Sequence, residues 1–149
     1  IDFQDTEFVF SVPKNKILQK NDIISPFIGE AIRQIKFSIF TKSEHKYTVD
    51  NNTGVIRIND SEAIPNYICE VLNSIIGEIQ LNKLIGGGGV PFLGTQSVKD
   101  IYIPIPAKEK QTEIANHITD LRNQAKQLEL DANQIMLKAK AEVENIILG

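Results

Sequence analysis

The sequence predicts an α+β fold, in which a small mixed domain is followed by one long C-terminal α-helix of the coiled-coil type. Up to about residue 106, short segments with strand-like alternation surround a single helical pattern. After residue 106, apolar residues recur at heptad spacing, and neither Gly nor Pro interrupts the segment from Lys108 to Leu148. We therefore expect two domains, 1–106 and 107–149.

Three segments of the first domain have β-branched and aromatic residues near period two, which predicts strands at 36–40 (KFSIF), 46–49 (KYTV) and 55–58 (VIRI). Residues 50–54 (DNNTG) have turn chemistry and predict a hairpin between the last two. Residues 100–106 (DIYIPIP) also alternate, and their prolines favour an edge strand or the exit from a sheet. Strands should therefore outnumber helices in this domain.

Residues 60–77 (DSEAIPNYICEVLNSIIG) predict one helix. Asp60 or Ser61 would cap it, and Pro65 suits its first turn. The side chains of its apolar stripe are Ile68, Leu72, Ile75 and Ile76.

The heptad pattern after residue 106 predicts a helix about 60 Å long, at 1.5 Å per residue. Glu142 takes the next position of the pattern, and Ile146 resumes it. A domain of this size cannot cover so long a helix, so we expect it to project and to pair with a partner helix; the alternative is packing on its own domain. The residues of this seam are Ile114, Ile118, Leu121, Ala125, Leu128, Ala132, Ile135 and Ala139.

Composition is ordinary for a globular protein, with a formal net charge of −3 over 149 residues. The single cysteine, Cys69, excludes an internal disulfide and fits a cytoplasmic protein. No apolar run is long enough to span a membrane, and no secretory signal is visible. Because the chain opens at Ile1 rather than Met, we expect a fragment or a processed chain.

Basic residues are concentrated in 31–58, which contains five of them and only two acidic residues, Glu44 and Asp50. This local excess suits a phosphate backbone, although a solvated strand face would look the same. The basic residues of this stretch are Arg33, Lys36, Lys42, Lys46 and Arg57.

Residues 84–96 (LIGGGGVPFLGTQ) contain four consecutive glycines. A phosphate-binding P-loop needs a lysine and a hydroxyl after its glycines, but Val90, Pro91 and Phe92 follow here. A dinucleotide-binding motif needs a helix next, and the following segment resembles a strand. Two interpretations remain open: a flexible loop, or a backbone that approaches a bulky ligand without intervening side chains.

Catalytic patterns are weak. His45, His117 and Cys69 are too few for a zinc site. Glu44 and Lys46 have the spacing of a nuclease motif, with Asp22 as a possible metal ligand, but such triplets are common by chance. The Asn/Asp-Pro-Pro-Tyr/Phe motif of amino-methyltransferases is absent. We expect neither a metal site nor an enzyme.

Residues 93–118 (LGTQSVKDIYIPIPAKEKQTEIANHI) resemble the specificity subunits of type I restriction–modification systems, where a target recognition domain ends and a long helix begins. Ala107 and Lys110 depart from the pattern, since proline and glutamate are usual there. Upstream, 18–32 resembles the family's Gly-Asp segment with Asn21 in place of the glycine, and 54–58 with 64–74 resembles its strand and helix. The matching residues near the helix are Ile103, Pro104, Ile105, Pro106, Gln111 and Ile114.

The resemblance implies a non-catalytic subunit that recognises double-stranded DNA and positions separate methyltransferase and restriction subunits. Those partners would carry S-adenosylmethionine, ATP and Mg²⁺, and this chain would bind no cofactor. A complete specificity subunit has two recognition domains and two long helices. The chain would thus be a half-subunit, a truncated chain or the tail of a larger protein, with part of one recognition domain in 1–106. Its helix would pair with a second copy or with the other half of the subunit.

Residues near the glycines would face DNA, and a glutamine there could read adenine. The alternatives are a protein-interaction module without DNA specificity and a stand-alone nuclease. The candidate DNA contacts are Arg33, Lys36, Lys42, Lys46, Arg57, Lys83, Gly87, Gly88, Thr95 and Gln96.

Overall fold

The structure is a computed structural model that describes residues 16–149 except 35, 43 and 87. Three short strands form an antiparallel sheet in the order β2-β1-β3. They are β1 (Ile23–Pro26), β2 (Ser38–Ile39) and β3 (Thr53–Ile56). The central strand β1 pairs with both neighbours, and three of its four residues are buried.

The helices include a 3-10 helix (Glu30–Gln34) and four α-helices. Four of these five helices precede residue 107, so within the described part of the first domain helices outnumber the three strands, contrary to the sequence prediction, while the α+β class is confirmed. The α-helices are α1 (Pro65–Leu72), α2 (Ile75–Leu84), α3 (Thr95–Lys99) and α4 (Lys108–Leu148).

The helix α4 has the 41 residues from Lys108 to Leu148 that the heptad pattern indicates. The chain separates into two compact units, Ile1–Thr112 and Glu113–Gly149. The first turn of α4 thus belongs to the first unit, and the predicted domain boundary after residue 106 stays a prediction.

The strand predicted at 46–49 is absent, and the hairpin prediction is wrong. β3 pairs with β1 instead. Residues 46–49 lie beside 16–18, where Leu18 N donates to Tyr47 O at 2.9 Å. Tyr47 also packs against a buried apolar cluster that contains Leu18, Ile24 and Phe40. Residues 50–54 do turn, since Asn52 N donates to the Asp50 carboxylate.

The predicted helix 60–77 is interrupted between α1 and α2 by Asn73 and Ser74. The Asn73 side-chain amide accepts from Phe37 N at 2.8 Å and donates to Phe37 O at 2.9 Å. Asn73 thereby ties the interruption to the residue before β2. The start of the helix also differs, because the N-cap of α1 is Ile64 without a side-chain cap bond. Asp60 instead accepts from Glu62 N within the preceding turn.

Residues 101–107 form no strand, and the segment before them is the short helix α3. Prolines 104 and 106 have no N–H group and cannot complete a ladder. Side chains bond this segment instead. The Gln80 amide accepts from Tyr102 N at 2.9 Å and donates to Tyr102 O at 3.0 Å. The Tyr67 hydroxyl donates to Pro104 O at 2.8 Å.

Gln111, in the first turn of α4, completes this junction. Its side chain is fully buried. The amide nitrogen donates to Pro106 O at 2.7 Å and to Glu62 O at 2.8 Å, and the amide oxygen accepts from Ile64 N at 2.9 Å. One side chain therefore links the end of residues 101–107 to the start of α1.

Candidate nucleic-acid interface

The base of the glycine loop is fixed by backbone hydrogen bonds. Gly86 and Phe92 each donate to the carbonyl of the other, at 2.9 and 3.0 Å. The loop is also joined to the residues after β1, because Gly29 N donates to Pro91 O at 2.9 Å and Leu93 N donates to Phe27 O at 2.8 Å. These four bonds give the loop a defined base.

The tip of the loop is open. A Cβ atom added to Gly88 or Gly89 would have no neighbour within 4 Å. Val90 is 61% exposed. Of the two glycines predicted to contact DNA, Gly88 is an exposed residue of the tip, and Gly87 lies outside the described residues.

Two glycines shape the segment at 27–29 that hydrogen-bonds to the glycine loop. Gly29 has φ +92°, a conformation in which other side chains are strained. Gly54 in β3 lies directly under the Phe27 ring, which occupies the space that a Cβ atom would need. A positive φ also occurs at Asn21, which has φ 73° just before β1. Asparagine tolerates this conformation. Asn21 can therefore stand where the family that 18–32 resembles usually has glycine.

Thr95 and Gln96 are exposed on α3, immediately after the glycine-rich segment. Lys83 is exposed in the last turn of α2, immediately before it. Arg33 lies in the 3-10 helix that follows Gly29, so the hydrogen bond from Gly29 to Pro91 brings its segment to the loop. Three candidates thus flank the loop in sequence, and Arg33 lies in the segment that Gly29 joins to it.

The other basic candidates lie elsewhere in the first unit. Lys36 is exposed before β2, Lys46 is exposed beside residues 16–18, and Lys42 is partly buried. Arg33 also pairs with Glu30 at 3.0 Å, but both side chains are mostly exposed, so the pair contributes little to stability.

Arg57 has a structural bond that the sequence does not reveal. Its Nε and Nη2 donate to the two oxygens of Asp22, at 2.8 and 2.7 Å. Hydrogen bonding to Asp22 raises the pKa of Arg57, and Nη2 also donates to Ile17 O at 3.3 Å. Asp22 is buried and also accepts from Gln19 N at 2.7 Å. The role of Arg57 in DNA binding stays a prediction.

Sequence reasoning missed the amide side chains that bond backbone segments. Asn73 and Gln80 each make paired hydrogen bonds to the backbone of one residue. From the sequence, Gln111 was noted only as one of the residues that match the family's pattern. Each of the three also bonds a segment that lies 22 to 49 residues away in sequence, so no local pattern marks these bonds. In the part of the chain that the structure describes, no group of three or more His, Cys, Asp or Glu side chains is placed so that it could hold a metal ion.

The seam of α4 is exposed over most of its length. Ile114 and Ile118 are partly buried, whereas Leu128 and Ile135 are 69% and 67% exposed. Ala125, Ala132 and Ala139 are exposed in the same seam.

A second group of apolar side chains lies on the opposite face of α4. Leu130 and Leu137 follow Leu128 and Ile135 by two residues, which is about 200° around a helix. They are 48% and 66% exposed. The C-terminal half of α4 therefore presents apolar side chains on two faces.

The first unit has an exposed glycine loop with exposed cationic and amide side chains, and the long helix has an exposed apolar seam. These are the parts expected of a DNA-recognition protein that assembles with others. A model of the type I restriction modification DNA specificity domain matches residues 5–136. The chain belongs to this family, whose domains provide the DNA sequence specificity of type I restriction–modification.

A comparison with curated proteins finds no match. Among the described residues, no helix combines the length and the apolar character needed to cross a bilayer.

Proposed function

We propose that this chain is the non-catalytic DNA-recognition component of a type I restriction–modification system, and that it positions separate methyltransferase and restriction subunits on the target. The observation that carries the proposal is the family match, which extends from the first unit into α4. The partner subunits supply S-adenosylmethionine, ATP and Mg²⁺ chemistry, and the assembly is cytoplasmic.

The DNA-facing surface is centred on the glycine loop. Its base is held by backbone bonds to 27–29, so the two ends of the loop are fixed. Gln96 can form a bidentate contact with adenine, while Lys83 and Arg33 suit phosphate oxygens. Lys36 and Lys46 add further exposed cations to the same unit.

The two apolar faces of α4 support its role in assembly. The seam pairs with the long helix of a second copy or of the other half of the subunit, because a heptad repeat buries one stripe against one partner. Leu130 and Leu137 would remain in water in such a pair, so they contact a helix of a partner subunit.

Charge removal tests the DNA-binding proposal. We expect replacement of Lys36, Lys46 and Lys83 by glutamine to weaken binding to all duplexes and to reduce the salt slope by about one unit per lost phosphate contact. A gel-shift titration over a range of salt concentrations measures both. Replacement of Lys126, Lys138 and Lys140 in α4 by glutamine removes the same charge and is the control. Equal effects of the two triple variants would contradict localised phosphate contacts.

Adding a side chain to the glycine loop tests its role in DNA binding. We expect Gly88→Val to weaken DNA binding about tenfold, because a side chain blocks close approach of the backbone. The melting temperature should remain within about 2 °C of the wild-type value, since the added atoms have no neighbours in the protein. Gly54→Val is the contrasting variant, because Phe27 occupies the space there and the fold itself should be destabilised. Unchanged DNA affinity for Gly88→Val would refute the contact.

A protein-interaction module without DNA specificity is the second candidate, and the extent of exposed apolar side chains on α4 favours it. The two functions differ in one measurement. An interaction module would form its protein complex but show no sequence preference when duplexes of random sequence compete for it.

A further inference from the structure

The glycine loop differs from the surrounding surface in its charge and its thickness. Residues 84–98 contain no charged side chain, whereas Lys83 and Lys99 stand at the two ends of this segment and are exposed. Phosphate contacts therefore fit the ends of the segment rather than its middle. The middle is suited to a surface without charge, which in a DNA duplex means the bases and the sugar edges of the grooves.

The tip is thin as well as uncharged. From Gly86 to Gly89 no side chain extends beyond the backbone, and the first side chain after them is Val90. The minor groove of B-DNA is only about 6 Å wide, so it admits a bare backbone more readily than a helix or a pair of strands. Val90 would be the leading apolar group of such a projection.

The base of the loop provides the rigidity that insertion requires. The paired bonds between Gly86 and Phe92 close the loop, and the bonds to Phe27 and Gly29 join it to the chain after β1. The Phe92 ring lies 3.4 Å from the position that a Cβ atom on Gly86 would take, so the ring covers the loop base. Phe92 itself remains half exposed beside the tip.

We propose that Val90 is an apolar wedge that enters the minor groove of the target duplex and partly unstacks one base step, while Lys83 and Lys99 hold the flanking phosphates. Apolar side chains inserted in this way kink the duplex and make recognition depend on how easily a step deforms. Val90 is thus a specificity-determining residue that reads the shape of the DNA. This inference rests on the proposed function, since it requires that the chain binds duplex DNA.

The test uses the full chain and duplexes that the wild-type protein selects from a random-sequence pool. 2-Aminopurine replaces each adenine of a selected duplex in turn, because its fluorescence rises when a base loses its stacking neighbour. We expect one position to brighten with wild-type protein. Val90→Thr keeps the shape and the backbone restriction of valine but is polar, and should lose this signal together with about tenfold in affinity. Its salt slope should not change, because no phosphate contact is removed.

Control substitutions distinguish a wedge in the minor groove from a contact in the major groove. Val90→Ile retains an apolar branched side chain and should retain both the signal and the affinity. Replacement of thymine by uracil at the step that brightens, which deletes the methyl group in the major groove there, should have no effect; a loss of affinity from that replacement would show that Val90 contacts the major groove and would overturn the wedge. Wild-type affinity and fluorescence in Val90→Thr would also overturn it. If the wild-type chain selects no sequence at all, the proposed function fails instead.

Discussion

Replacing Leu121 and Leu128 by aspartate is expected to leave the protein monomeric and to abolish its association with the methyltransferase subunit. A paired seam would bury two introduced carboxylates from each chain without partners, which costs several kcal/mol. We expect the dimer to weaken by at least about a thousandfold, equivalent to roughly 4 kcal/mol. Light scattering across a concentration series measures the change, and thermal unfolding of residues 16–112 should be unaffected.

The opposite face of α4 provides the matched control. Leu130→Asp together with Leu137→Asp introduces the same charges at the same seven-residue spacing, nine residues farther along, which is about half a turn around the helix. We expect this variant to remain a dimer but to lose binding of the methyltransferase subunit, as measured by co-purification from cells that express both. A wild-type chain that is monomeric at high concentration would rule out pairing through the seam. Identical behaviour of the two variants would rule out separate roles for the two faces.

Replacing Gln111 by methionine is expected to lower the free energy of unfolding by about 3 kcal/mol, because three backbone groups lose their partner in a buried site. Methionine has a similar shape, so the loss reports hydrogen bonds rather than volume. The melting temperature should fall by about 6–12 °C for a protein of this size. Calorimetry or circular dichroism measures it.

Two further variants test the role of these hydrogen bonds. Gln80→Met removes a side-chain amide from a partly exposed site and should cost only about 1 kcal/mol. Gln111→Glu places a carboxyl group against the carbonyl oxygens of Glu62 and Pro106, which disfavours its ionised form and raises its folded-state pKa. Its stability should therefore approach the wild-type value at acidic pH and fall as pH rises through that pKa. A loss of stability that does not depend on pH would contradict the burial of an ionisable carboxyl group there.

The sequence predicts α4 and the turn at 50–54 well because both follow from local chemistry. A heptad repeat without Gly or Pro specifies a helix by itself, and an Asx-containing turn forms from neighbouring residues. The class of DNA-recognition protein also follows from a local segment, the one that joins 101–107 to the start of α4.

The strands at 46–49 and 100–106 were predicted wrongly because strand pairing is set by distant segments. Alternation predicts an extended backbone, but neither segment joins the sheet: residues 46–49 bond to 16–18, and residues 101–107 bond to side chains. The helix interruption at Asn73 has the same origin, since its amide bonds to Phe37, 36 residues away. For the candidate site, the glycine run was visible from the sequence, but its closed base and the bond between Arg57 and Asp22 were not.

Because the base of the glycine loop is closed, the residues between its two ends, 87–91, can be replaced without opening the loop. Gly86 and Phe92 hold the two ends together through their backbone atoms, so closure does not depend on which residues lie between them. Lengthening such a loop raises its closure entropy only slowly, by about 0.6 kcal/mol for each doubling. We therefore expect a longer or differently shaped tip grafted at 87–90, with the carbonyl at position 91 still accepting from Gly29 N, to alter the sequence preference on the same scaffold.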